Sequence, residues 1–218
     1  MTSTIRVSDD PILESTLDKM FDPMTFDGQL NILQLNIAGL NLIEEVNKLD
    51  PDLVIDAGCG HNRFKGHIKN LIGFDRLGYP FVDLQMPIED APFRKESADV
   101  VMALGAVHFG TRELVEKQVS QMVSWTKPGG FLIFRVNHKM FFDYHNNIRM
   151  NWTLQDFEYF TKKHNLIVYK ELQYEHTINH KTQTPETIKM VWWWQKPGVR
   201  VKQTIDPVSC QITDHPVQ

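Results

Sequence analysis

An apolar run that ends in an acidic residue and then turns at once through Gly-x-Gly leaves a chain few folds to choose from. Val54-Ile55-Asp56-Ala57-Gly58-Cys59-Gly60 is such a run, and a second apolar segment, Leu71-Ile72-Gly73-Phe74, ends in Asp75. Glycines at 58 and 60 let the backbone turn sharply and leave no side chain where a ligand must come close. A carboxylate about twenty residues after the first strand is where α/β nucleotide-binding folds hold a ribose by its hydroxyls. The pattern points to an adenosine-type ligand at the carboxyl ends of parallel strands.

The rest of the chain supplies elements for such a sheet. Leu33, Ile37, Leu40, Ile43 and Val46 recur near helical spacing, which predicts a helix over 30–48 that stops at Leu49-Asp50-Pro51. Strand one is expected at Leu53–Asp56, and Ser97–Leu104 reads as a buried strand. A helix over 111–125 would place Leu114, Val115, Gln118, Val119 and Met122 on one side, with Thr111 as N-cap. Another, from Thr153 to about His164, would turn Leu154, Phe157 and Phe160 inward and stop at Asn165. Ile167–Tyr174 and Ile188–Trp194 are β-branched and aromatic, as strands are. Within Trp192-Trp193-Trp194, the outer two rings share one face of a strand and Trp193 takes the other. Residues 1–28 are read as an N-terminal arm or lid, 29–196 as one domain and 197–218 as a C-terminal tail.

Four blocks occur in one order: Asp56 to Gly60, then Asp75, then Ala91-Pro92-Phe93 through Asp99-Val100-Val101, then Thr126-Lys127-Pro128-Gly129-Gly130. In that order they resemble the motifs of the class I S-adenosylmethionine-dependent methyltransferases. The resemblance implies a Rossmann-like, doubly wound α/β fold with a mostly parallel seven-stranded sheet and a C-terminal antiparallel hairpin, whose antiparallel strand would be Ile188–Trp194. The early crossovers must be shortened, because few residues separate Gly60 from Leu71 and Asp75 from Val82, and a parallel crossover normally takes a dozen or more. A very short first helix and a loop over 76–80 in place of the second are expected.

The resemblance also assigns a cofactor, S-adenosyl-L-methionine, and residues to hold it. Asp56 would end strand one beneath the ligand, near its amino-acid part. Gly58, Cys59 and Gly60 form the turn, and a helix start after them would supply amide donors to the methionine carboxylate. Asp75 would accept both ribose hydroxyls. Asp83 would lie near the adenine amino group, with the Leu84 amide beside it and Leu104 at the end of strand four. His108 follows that strand, where methyl donor and acceptor meet; it would either remove an acceptor proton or pack beside the cofactor. Methyl transfer needs mainly proximity and alignment, so a base is not obligatory. Cys59 has no dyad partner at a recognisable spacing, and a small buried side chain under the ligand suits it better than a nucleophile. Asn62 stands where many relatives carry a third glycine.

Composition narrows the partners. A net charge of −4 gives no basic footprint for nucleic acid or anionic membrane. Two cysteines, Cys59 and Cys210, lie far apart and argue against a disulfide framework, and no apolar run reaches membrane-span length. A cytoplasmic protein is expected, with no metal site among its scattered histidines. The acceptor is expected to be a small or glycan-like molecule, contacted by the aromatic and basic segment 137–152 and the arm. Two other classes stay open: a methyltransferase fold that binds the cofactor without turning it over, and a nicotinamide-dependent oxidoreductase, against which the Lys-Pro-Gly-Gly turn and the absent third glycine count.

Overall fold

The computed structural model describes residues 40–79, 81–140, 150–178, 185–205 and 212–216. The expected arm, the first part of the predicted N-terminal helix and the middle of segment 137–152 lie outside these residues. Helix α1 spans Leu40–Lys48 and ends where Asp50 takes a positive φ of 45° ahead of Pro51. Strands β1 (Val54–Ala57), β2 (Leu71–Asp75), β3 (Leu84–Gln85) and β4 (Ala98–Leu104) follow. Helix α2 (Arg112–Trp125) leads into β5 (Thr126–Met140), and α3 (Leu154–Lys163) into β6 (Ile167–Ile178) and β7 (Pro185–Gln195). The sheet order is β3-β2-β1-β4-β5-β7-β6, with β7 antiparallel to both its neighbours and the other pairings parallel. This is the doubly wound sheet with a terminal antiparallel hairpin that the motifs implied.

Strand alternation splits the core between the two faces. Ile55, Val101, Ala103, Leu132, Phe134, Trp192 and Trp194 face α2 and α3, which bury Val115, Val119, Met122, Phe157 and Phe160 against them. Val54, Val100, Met102, Ile133 and Trp193 face the other way, under Leu42 and Val46 of α1. The tryptophan triplet therefore divides as a strand requires. Both later helices begin as expected. Thr111 accepts the Leu114 N–H, and Thr153 forms a reciprocal capping box with Asp156. Such caps contribute about 1 kcal/mol each. Leu154 departs from expectation: it sits in the first turn of α3 and is 48% exposed, while Asp156, paired with Arg112, is buried there instead.

The first crossover also differs from expectation. Residues 61–70 form a succession of turns with no α-helix. Positive φ values at Asn62 (50°), Gly66 (80°) and Asn70 (53°) break any helical run, and ten residues leave no room to restart one. Phe64 and Ile68 still plug the sheet face that a crossover helix would cover. A loop follows β2 from Arg76 to Tyr79, as the short spacing required.

At the amino ends of the strands a charged cluster is buried. Asp99 accepts the main-chain N–H groups of Asp52 (2.9 Å) and Leu53 (3.1 Å), and both its oxygens lie 3.2 Å from Lys127 Nζ. Arg200 approaches the same carboxylate at 3.9 Å and donates to the Leu49 carbonyl. The stretch read as a tail is thus docked on the base of the sheet, and it continues into an antiparallel ribbon of β8 (Val201–Ile205) and β9 (Ile212–Pro216).

Candidate cofactor and acceptor site

The carboxyl ends of β1, β2 and β4 bring Asp56, Gly58, Cys59, Gly60, Asp75 and Leu104 to one edge of the sheet. The Gly58 and Cys59 N–H groups both donate to the Phe74 carbonyl, at 2.9 and 3.0 Å, which folds the turn over the end of β2. Gly58 has a φ of 69°, and a Cβ there would stand 2.2 Å from the Ala106 Cβ. Its glycine is therefore required by packing against the turn after β4 as much as by a ligand. The Gly60 N–H donates to Asp75 Oδ2 at 2.9 Å, and the Leu77 N–H to Asp75 Oδ1 at 2.9 Å. These bonds aim the strand-end carboxylate across the mouth of the turn. The helix start expected to follow Gly60 is absent, so the donors at this edge are turn amides without a helix behind them.

Burial sets the electrostatics. Asp56 is 2% exposed, and burial followed by the nearby Asp75 charge pushes its carboxyl up to about 7. Burial also raises Asp75, against the pull of the Leu77 and Gly60 amides. Two carboxylates in one low-dielectric corner cannot both ionise cheaply. A cationic ligand would relieve them. The same burial, with Asp56 and Asp75 next in weight, holds the Cys59 thiol far above its ordinary range, which removes thiolate nucleophilicity.

Asp83 stands one residue before β3 and is held by an inward network of its own. Gln85 pairs with Asp75 and Leu84 with Phe74, so Asp83 lies at the level of Gly73, before β3 rather than at its carboxyl end. Its carboxylate accepts from the Gly73 N–H (2.9 Å), Asn62 Nδ2 (3.2 Å) and Lys65 Nζ (2.6 Å). Burial pushes this group up, yet Lys65 and the Gly73 amide outweigh it and leave the carboxyl below its usual range. Asn62, buried and also bonded to the Phe81 carbonyl at 2.7 Å, fills the space over Gly73, where a Cβ would come within 2.3 Å of its amide oxygen. Sequence reasoning missed this Asn62–Gly73–Asp83 brace. The signal available was a glycine interrupting an apolar strand.

His108 lies in the turn after β4 and is 3% exposed. Its Nε2 is 3.2 Å from Asn137 Nδ2 on β5. Trp152, fully buried, donates its indole N–H to the Val107 carbonyl at 2.6 Å, and its main-chain N–H to the Asn137 carbonyl at 2.9 Å. Leu104 closes β4 opposite Arg135, whose Nε meets Glu175 at 2.8 Å. Among the described residues, no group of three or more His, Cys, Asp or Glu could hold a metal ion.

A family model described as a methyltransferase domain matches residues 55–134, which run from β1 to the middle of β5. Over that stretch the chain is similar to the methyltransferase domain family. Solved methyltransferase structures share the fold. One is the 1,6-didemethyltoxoflavin-N1-methyltransferase of Burkholderia thailandensis, with bound 1,6-didemethyltoxoflavin and S-adenosylhomocysteine. It matches at TM-score 0.62 and 13% identity, over 87% of this chain and 93% of that one. Another is a possible histamine N-methyltransferase of Thermotoga maritima, at TM-score 0.57 and 17% identity over 82% and 99%. A curated relative, the tRNA (carboxymethyluridine(34)-5-O)-methyltransferase of Arabidopsis thaliana, is 27% identical over 96 residues, 38% of this chain. The chain spans about 24% of that relative's length. Among the described residues, none of the helices is long and apolar enough to cross a membrane.

Proposed function

We propose that this chain transfers a methyl group from S-adenosylmethionine to a small-molecule acceptor. One observation carries the reading: Asp56 and Asp75, both raised by burial, flank the Gly58-Cys59-Gly60 turn at the carboxyl edge of adjacent parallel strands. The residues fit the cofactor. Asp75 has two oxygens for two adjacent ribose hydroxyls, Asp56 places a carboxylate near the cationic amino-acid end, and the space around Gly60 is open. When bound, the cofactor supplies an electrophilic methyl on a sulfonium. The protein's own part is to hold that group in line with an acceptor lying over β4 and β5, beside Leu104 and His108, and to exclude water there. In this reading residues 29–196 form the catalytic body. The net charge of −4 favours a small or glycan-like acceptor. The tRNA-modifying relative motivates a second reading, a nucleoside within RNA.

Asp75→Ala tests the cofactor assignment. It should weaken S-adenosylhomocysteine binding by about 1.5–3 kcal/mol, roughly ten- to hundredfold, because hydrogen bonds to a charged group are lost. Calorimetric titration of the folded variant reads this directly, and unchanged affinity would remove Asp75 from the ribose site. The same titration with S-adenosylmethionine should tighten from pH 6 to pH 8. Asp56 is mostly protonated below its value of about 7 and ionised above it, and only the anion attracts a cation. Asp56→Asn should flatten that dependence.

A further inference from the structure

Asn137 and His108 come from different strands and meet where the sheet ends. Leu104, the last residue of β4, pairs with Arg135, so β5 overruns β4 and carries Asn137 up to the turn that holds His108. Both side chains are buried, and His108 Nε2 faces the Asn137 amide nitrogen at 3.2 Å. The turn itself is fixed by main-chain bonds: the His108 N–H donates to the Ala106 carbonyl (2.9 Å), and the His108 carbonyl accepts the Met150 N–H (2.8 Å). Trp152 secures both sides of the pair through Val107 and the Asn137 carbonyl. An amide nitrogen can only donate, so His108 Nε2 must offer its lone pair. The hydrogen of the neutral ring then resides on Nδ1.

We propose that Asn137 is a positioning residue that fixes His108 in the Nδ1–H tautomer and caps its one basic nitrogen. In that state His108 does not take a proton from the acceptor. It presents a fixed, uncharged ring at the end of β4. The acceptor class that fits is one whose attacking atom already holds its lone pair, such as a ring nitrogen or an ionised oxygen. The consequence for the acceptor rests on the methyltransferase reading above, whereas the tautomer does not.

Long-range proton–nitrogen correlation spectra of protein labelled with 15N-histidine, recorded at pH 8, test this without a substrate. His108→Gln identifies the His108 signals by their loss. In the wild type, Nε2 should resonate as an unprotonated nitrogen and Nδ1 as a protonated one. Asn137→Asp replaces the donor by an acceptor and should reverse the pattern to Nε2–H in a protein whose circular dichroism is unchanged. Asn137→Ala should let the ring relax towards Nε2–H, which free imidazole side chains prefer. An Nε2–H pattern in the wild type would overturn the proposal, and so would a tautomer indifferent to both folded variants. If neither variant folds, the wild-type spectrum alone decides. Loss of the methyltransferase reading would show separately, as no cofactor binding by a protein with the expected tautomer.

Discussion

Asp99→Ala should cost about 3–5 kcal/mol of folding stability, the range for removing one partner of a buried ion pair. For a chain of this size that lowers the melting temperature by roughly 6–20 °C. The carboxylate is 2% exposed and joins four parts of the molecule: the entry to β1 through two amides, β4 on which it stands, β5 through Lys127, and the C-terminal stretch through Arg200. Its loss leaves Lys127, itself buried, with the more distant Asp52 at 3.5 Å. It also leaves two strand-entry amides without their acceptor. A thermal melt followed by circular dichroism reads the effect. A loss below about 1 kcal/mol, the scale of an exposed pair, would show that the cluster does not anchor the sheet.

Gly58→Val should abolish measurable S-adenosylhomocysteine binding. A Cβ at this position would stand 2.2 Å from the Ala106 Cβ, so the turn after β1 and the turn after β4 must move apart. Those two turns form the edge proposed to hold the cofactor. The φ of 69° adds a left-handed cost of about 1–2 kcal/mol for any side chain. Gly58→Ala meets the same clash, and adding Ala106→Gly removes the clash but not the φ cost. The double variant should therefore recover part of the affinity, as read by calorimetry. Wild-type affinity in Gly58→Val would mean that the turn is not part of the cofactor site.

The parallel half of the sheet was legible because its signals are local. Apolar runs at 53–56, 71–74 and 97–104 end in turns, and the residue counts between them forbade full crossover helices. The absence of any helix between β1 and β2 was not legible, since it depends on Asn62 and Asn70 taking positive φ, which asparagine only sometimes does. The position of Asp83 depends on the register between β2 and β3, a pairing decided by the Asn62–Gly73–Lys65 contacts rather than by neighbours in sequence. Leu154 fits the apolar period of α3, yet the capping box draws Asp156 inward at that end. Asp99 looked like an ordinary motif residue. Its partners are 28 and 46 or more residues away, and Arg200 lies in a segment whose Val-Lys-Gln-Thr-Ile strand shows little alternation. His108 was placed at the end of strand four by its motif neighbours, but the Asn137 amide against its ring needs a contact that only the folded sheet provides.

The central claim is that the carboxyl edge of β1, β2 and β4 is a site for S-adenosylmethionine. Calorimetric titration of the whole chain at pH 8 with S-adenosylmethionine, S-adenosylhomocysteine and NAD tests it most directly. Saturable one-site binding of the first two, with no heat from NAD, is the expected result. Binding of NAD without either adenosyl compound would contradict the account.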